Sequence, residues 1–173
     1  MCKIIKVNGK APEYGAGTFL AEGSFLIGDV VMGSQCSIWY TAVVRGDVNS
    51  IRIGDRVNIQ DGAIIHCTYE RAATVIGNDV SIGHRALVHG CTIHDKVLIG
   101  MGAIVMDHCV IESGSIIAAG AVLLEGTHVE AGSIYAGVPA RKVKSVEASA
   151  ASGEIARIAG NYIKYASWFS DSQ

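Results

Sequence analysis

The chain has 173 residues, half of them hydrophobic, which is enough for one globular domain with a continuous core. Its 14 Lys and Arg residues against 16 Asp and Glu residues leave a net charge of −2, and the basic residues form no run longer than the segment 141–144. This balance argues against nucleic acid and against an anionic membrane surface as partners.

Residues 1–19 are predicted to be a lead-in that caps the open end of the fold. They contain no sustained apolar segment followed by a small-residue cleavage site, and no window of the chain approaches the roughly 18 apolar residues of a membrane span. We therefore expect a cytoplasmic protein. The five cysteines are an odd number without a C-x-x-C pair, which predicts reduced, mostly buried thiols.

Residues 20–144 repeat with a period of six. Every sixth residue is aliphatic, and four residues later a small or compact side chain recurs, for example Val31, Ala63, Thr92 and Ala103. The aliphatic positions are Ile27, Met32, Ile38, Val44, Ile53, Ile59, Ile65, Ile76, Ile82, Val88, Ile93, Ile99, Val105, Ile111, Ile117, Leu123 and Val129, with Tyr135 as the last of the series.

This double pattern predicts an all-β solenoid, a left-handed parallel β-helix of hexapeptide repeats. Each repeat supplies one short strand and one tight corner, and three repeats close a triangular coil whose interior holds the aliphatic side chains. No repeat buries its own face, so the coils must stack. A β-sandwich is disfavoured because its turns recur every ~8–12 residues.

The six-residue period breaks in four places. Steps of five from Ile27 to Met32 and from Val88 to Ile93 are interpreted as local slips, whereas extra residues follow Val44 and Ile65. The longest insertion, residues 67–75, is predicted to loop out of the solenoid, where functional residues are often found.

Residues 145–173 are predicted to form a C-terminal helix that packs on the β-helix. From Ser152 to Phe169, apolar residues such as Ile155, Ile158 and Tyr162 recur at helical spacing among Lys and Arg residues.

Three of the six histidines fall at related positions of the repeat. His66 and His89 directly follow Ile65 and Val88, which lie on the same face one coil apart, so their side chains should stack with backbones ~4.7–4.9 Å apart. If the residues after Val44 form one corner, Arg45 joins this column.

His84 is placed on a different face, beside Asp61 of the preceding coil. Since aliphatic side chains fill the interior, His84 cannot reach His66 and His89 of its own chain, but a neighbouring copy in a homotrimer can supply it. Three neutral imidazoles that leave one position open suit a catalytic Zn²⁺, and Fe²⁺ or Co²⁺ would also fit. We interpret His94, His108 and His128 as surface residues.

An ordered set of motifs resembles gamma-class carbonic anhydrases and their close bacterial relatives over residues 19–144. The motifs are Val44-Arg45-Gly46-Asp47, Asn58-Ile59-Gln60-Asp61, Ile65-His66, Ile82-Gly83-His84, Val88-His89-Gly90-Cys91-Thr92-Ile93 and Ile99-Gly100-Met101-Gly102-Ala103. The resemblance implies a left-handed β-helix, a homotrimer, and Zn²⁺ or Fe²⁺ held by His66 and His89 of one copy and His84 of the next. It also implies reversible hydration of CO₂ to bicarbonate by metal-bound hydroxide.

The same resemblance assigns roles to four further residues. Arg45 and Asp61 would form an ion pair between copies, Asp47 would support that pair, and Gln60 would orient the metal-bound water. The sequence departs from the family pattern at Val48, where a Glu is expected.

The loop after His66 is short, and Glu70 is its only carboxylate. These departures leave the group that exports the proton unassigned. Three other functions stay open: hydrolysis of acyl thioesters at the same metal, acyl transfer with one His as the base, and a structural or assembly role in which the metal only holds the trimer together.

Overall fold

The structure of the protein, a computed structural model, describes residues 1–146 and 148–169. It is a parallel β-solenoid of about seven coils followed by one C-terminal helix, which confirms the predicted fold class. Residue 147 and residues 170–173 of the predicted C-terminal segment lie outside the described residues.

Twenty strands and one helix make up the described chain. In chain order they are β1 (Lys3–Ile5), β2 (Glu13–Tyr14), β3 (Phe19–Leu20), β4 (Phe25–Met32), β5 (Ser37–Ile38), β6 (Val43–Ile53), β7 (Asn58–Ile59), β8 (Ile64–His66), β9 (Thr74–Ile76), β10 (Ser81–Ile82), β11 (Leu87–His89), β12 (Thr92–Ile93), β13 (Leu98–Ile99), β14 (Ile104–Val105), β15 (Val110–Ile111), β16 (Ile116–Ile117), β17 (Val122–Leu123), β18 (His128–Val129), β19 (Ser133–Gly137), β20 (Ala140–Ser145) and α1 (Ala148–Ser167).

The strands form three faces. Face one contains β1, the first halves of β4 and β6, and then β8, β11, β14 and β17. Face two contains β2, the second halves of β4 and β6, and then β9, β12, β15 and β18. Face three contains β3, β5, β7, β10, β13, β16 and β19, with β20 added antiparallel to β19. Neighbouring coils are therefore joined by parallel pairing on every face.

The predicted interior positions from Met32 to Val129 are buried in one continuous core. Ile65 pairs with Val88 on face one, and Ile76 pairs with Ile93 on face two, as the six-residue count requires. Because successive side chains of a strand point to opposite sides, the residue before each interior aliphatic faces outward.

The predicted register is wrong at two places. Leu26 and Val30 are buried, whereas Ile27 is only half-buried and Val31 is exposed, so the first interior step runs six residues from Leu26 to Met32 rather than five from Ile27. The sequence count missed this because β4 crosses the corner between faces one and two without a turn, with a shift in register after Gly28.

The second error lies after Val88. Cys91 is buried under the corner, where Thr92 had been expected, and Thr92 is instead the first residue of β12. The repeat that starts at Val88 therefore has one residue fewer in its corner, and strand β12 keeps the usual two residues.

Both insertions are smaller disturbances than predicted. The extra residues after Val44 belong to the 11-residue strand β6, which crosses from face one to face two. After His66, only residues 68–73 leave the solenoid, because Cys67 is buried and residues 74 and 75 already belong to β9. A backbone bridge between Thr68 and Ala72 closes this short loop.

Helix α1 packs against the outside of face three. Ile155 is fully buried, and an aromatic cluster that includes Phe19 and Trp39 anchors the C-terminal half of the helix. The rings of Trp39 and Tyr162 meet edge-on, with their centroids 5.4 Å apart. Within the described part of the chain, we find no helix with the length and apolarity needed to cross a membrane.

Glycine is favoured at two positions of the repeat for different reasons. The third residue after most interior aliphatics adopts a left-handed conformation, as Gly120 does with φ of 68°, and a Cβ added to Gly120 would meet no atom within 4 Å. Gly100, directly after the interior Ile99, lies against the next coil, and a Cβ added to it would lie 2.5 Å from the backbone nitrogen of Ala119.

We therefore expect Gly120→Ala to lower the free energy of unfolding by about 1 kcal/mol, the cost of a left-handed L-residue. Gly100→Ala should cost more, because the backbones of two coils must separate. Urea denaturation at one fixed protein concentration measures both. Equal losses for the two variants would contradict the close approach of the coils at Gly100.

Candidate metal centre

His66 and His89 lie side by side on face one. They end strands β8 and β11 and are paired directly in the parallel register, as the repeat predicted. Nδ1 of His66 and Nε2 of His89 are 3.1 Å apart, and the ring centroids are 5.1 Å apart. The stacking of these two imidazoles on adjacent coils is thus present within a single chain.

A carboxylate holds the outer nitrogen of each ring. Nε2 of His66 lies 3.0 Å from Oδ1 of Asp47, and Nδ1 of His89 lies 2.5 Å from Oδ1 of Asp107. A metal-ligating histidine commonly donates its other ring N–H to such a carboxylate, which fixes the tautomer and the orientation of the ring.

The charge state of these groups follows from their surroundings. Burial alone would raise the pKa of Asp47, but hydrogen bonds from Arg45 and His66 outweigh it and hold the pKa below its usual value. The pKa of Asp107 is likewise lowered, because bonds from Thr68 and His89 outweigh burial. Burial lowers the pKa of His66 despite the nearby Asp47, which favours the neutral imidazole.

Since both carboxylates are ionised, the ring nitrogens beside them are donors. When both imidazoles are neutral, each has one N–H, so Nδ1 of His66 and Nε2 of His89 then carry lone pairs that face each other across 3.1 Å. Two lone pairs at this distance repel unless a cation lies between them. Two imidazole ligands of a tetrahedral Zn²⁺, each 2.0–2.1 Å from the ion, are about 3.3 Å apart. The chemistry and spacing of this pair therefore fit a divalent metal.

The chain alone does not complete such a site. Among the residues that the structure describes, no three His, Cys, Asp or Glu side chains converge in a way that could hold a metal. His84 lies on face three beyond β10, where its Nδ1 is 2.9 Å from Oδ2 of Asp61, the neighbour that the sequence predicted. Both side chains are 43% exposed.

The other residues singled out from the sequence lie either near the His66–His89 pair or near His84. Arg45 lies in the histidine column and donates to Asp47 at 2.6 Å within the same chain, and the Arg45–Asp61 pair between copies stays a prediction. Gln60 lies on the face of His84, nearly buried, and its Nε2 donates to Oδ1 of Asn58 at 2.9 Å. Gln60 and His84 share an apolar cavity of about 370 Å³ that Tyr162 of α1 also lines.

Sequence reasoning missed three residues around the histidine pair. Asp107 anchors His89, the Thr68 hydroxyl donates to the second oxygen of Asp107, and the buried Thr74 hydroxyl donates to the carbonyl oxygen of His66 at 2.7 Å. The repeat does carry one signal for Asp107. Val105 pairs with Val88, so Asp107 stands opposite Gly90, directly after His89.

The remaining histidines lie on the surface. They face glutamates, namely His94 and His128 near Glu112, and His108 near Glu125. Glu70 is exposed at the tip of the short loop, beside a polar cavity that Asp47 also lines. Cys67 and Cys91 are buried in the solenoid core, as predicted for most of the thiols.

Comparisons with known proteins place the chain among hexapeptide-repeat proteins. Residues 90–125 match the family "Bacterial transferase hexapeptide (six repeats)". Protein YrdA of Escherichia coli is 39% identical over 160 residues, which cover 89% of this chain and 86% of that protein.

Two other similarities carry functional names. A carbonic anhydrase of Geobacillus kaustophilus is 40% identical over 104 residues, covering 60% of this chain and 57% of that protein. The crystal structure of a hexapeptide transferase family protein from Anaplasma phagocytophilum superimposes with a TM-score of 0.89 at 36% identity, covering 96% of this chain and 98% of that one. With the extent of these matches and the motifs around His66, His84 and His89, the chain belongs to the gamma-carbonic-anhydrase-like hexapeptide-repeat family.

Proposed function

We propose that the protein is a metal-dependent carbonic anhydrase that hydrates CO₂ reversibly at the interfaces of a homotrimer. The observation that carries this proposal is the pair of carboxylate-anchored imidazoles, His66 and His89, whose free nitrogens converge at 3.1 Å. The names of the carbonic anhydrase relatives support the reaction.

The third ligand is His84 of a neighbouring copy. Within one chain the interior core separates face three from face one, so His84 and the His66–His89 pair look away from each other. A head-to-tail contact around a threefold axis brings face one of one copy against the His84 edge of the next, and closure of the ring gives three equivalent sites. His84 suits this role because its side chain is exposed and its Nδ1 is held by the carboxylate of Asp61.

Face one also offers the surface that such a contact needs. The outward residue before each interior aliphatic is apolar on every coil, forming a stripe that runs past the two histidines: Phe25, Val43, Ile64, Leu87, Ile104 and Val122. A continuous apolar stripe of this kind on a soluble protein marks an interaction surface. Because the stripe adjoins the histidine pair, we assign it to a second copy of the same chain.

The ligand set leaves room for one water, and a bound Zn²⁺, Fe²⁺ or Co²⁺ would supply the acidity that makes this water a nucleophile near neutral pH. Asp47 keeps the outer N–H of His66 occupied, and Arg45 holds Asp47 ionised. Gln60, fixed by Asn58, presents its side chain beside His84 at the edge where substrate would enter.

The stripe predicts which surface substitution dissociates the trimer. Ile64→Glu places a charge in the interface and should give monomers at micromolar concentration, measured by size-exclusion chromatography with light scattering. Val75→Glu is the matched control, since Val75 is equally exposed (43% against 44% for Ile64) but lies on face two. Trimers that survive Ile64→Glu, or that dissociate equally with Val75→Glu, would contradict the assignment of the interface.

Sharing of each site between copies is tested by mixing two inactive variants. His84→Ala and His89→Ala, carrying different affinity tags, should each bind no metal and lack CO₂ hydration. In any mixed ring of three, one interface joins an intact His66–His89 pair to an intact His84. Mixed trimers purified through both tags should therefore recover about one third of the wild-type metal content and activity.

The exposed His128→Ala is the control and should keep full metal content. Mixed trimers that stay without metal, or a His84→Ala variant that still binds it, would refute a shared site. Metal recovery without CO₂ hydration, but with hydrolysis or transfer of an acyl group from acyl-CoA, would instead favour the acyl chemistry suggested by the transferase name of the Anaplasma relative.

A further inference from the structure

We infer that Asp107, clamped by Thr68, is a positioning residue that selects the nitrogen with which His89 binds metal. This inference rests on the proposed function. It is carried by the contact of Asp107 with Nδ1 of His89 and by the way in which the surrounding coils hold the carboxylate.

The carboxylate reaches His89 across a gap that a glycine opens. Asp107 stands one coil beyond Gly90, and a Cβ added to Gly90 would lie 2.8 Å from Cγ of Asp107 and 2.7 Å from Cβ of Ala72. Any larger side chain at position 90 would push the carboxylate away from the ring. Gly90 also has a positive φ of 54°, so two separate constraints favour glycine at this position.

Both oxygens of Asp107 are engaged. Oδ1 accepts from Nδ1 of His89, and Oδ2 accepts from the Thr68 hydroxyl. Only a fifth of the Asp107 side chain is exposed, so water competes little for either bond. A carboxylate held at both oxygens cannot rotate away from the imidazole, which keeps the proton on Nδ1 and leaves the Nε2 lone pair facing His66.

Thr68 is itself fixed by the short loop after His66. Its backbone exchanges hydrogen bonds with Ala72, and the Asn49 side chain donates to its carbonyl oxygen at 3.3 Å. The short loop after His66 thus places the Thr68 hydroxyl against the oxygen of Asp107 that does not contact His89.

The test compares Asp107→Asn and Thr68→Val with the wild-type trimer by chelator competition for zinc. Asp107→Asn keeps the shape of the side chain but loses its charge, and we expect the zinc dissociation constant to rise about 10- to 100-fold. Thr68→Val should raise it less, and adding Thr68→Val to Asp107→Asn should have no further effect, because the hydroxyl acts through the carboxylate. Glu112→Gln, which removes the carboxylate beside the exposed His128, is the matched control and should leave zinc affinity unchanged.

A second measurement separates positioning from a merely structural role. The ¹⁵N chemical shifts of the His89 ring in the metal-free protein should show Nδ1–H in the wild type and a populated Nε2–H form in Asp107→Asn. Unchanged zinc affinity in Asp107→Asn, or an unchanged tautomer, would overturn the inference. If Asp107→Asn does not assemble, Thr68→Val decides by the same two readouts. A wild-type protein that binds no zinc would count against the proposed function, whereas the tautomer comparison would still test Asp107.

Discussion

The parallel hydrogen-bonded register between successive coils is the constraint on which the rest of the structure depends. It stacks interior aliphatics such as Ile65 and Val88 in the core. The same register sets every outward side chain above its counterpart on the next coil, with a spacing near that of neighbouring strands. A pair of histidines one position after two stacked aliphatics therefore has no freedom to lie elsewhere. The histidine pair is a consequence of the core and needs no special loop to form it.

The same rigidity explains why a single chain cannot close the proposed metal site. Three faces of a filled prism point in three directions, so an outward side chain on face three points away from one on face one. Only a second prism, set beside the first, brings the two together. Under the proposed function, assembly and chemistry are therefore coupled, because among the described residues the coil places no third imidazole beside His66 and His89.

The sequence alone predicted what the six-residue period controls. The solenoid, the pairing of His66 with His89, the position of Arg45 in their column and the contact of His84 with Asp61 all follow from counting residues. Counting failed where the backbone departs from the repeat. Leu26, rather than Ile27, is interior because β4 bends through a corner. Asp107 was missed because the repeat places it opposite Gly90 but does not show that its side chain reaches back to His89 on the preceding coil. The antiparallel strand β20 was likewise unforeseen, since it lies after the last repeat.

The left-handed corner position is filled unevenly along the chain. Between residues 35 and 96 it is occupied mostly by side-chain-bearing residues, namely Gln35, Thr41, Arg56, Asp79, Arg85 and Lys96, whereas from residue 102 to residue 132 it is glycine at every turn except His108. Each such residue costs about 1 kcal/mol relative to glycine in this conformation. In a solenoid, where every coil contacts only its neighbours, such local costs add up coil by coil and make some coils less stable than others. We therefore expect the glycine-cornered coils to be locally more stable than the strained coils that carry the histidines, a difference that slower amide exchange beyond residue 99 would reveal.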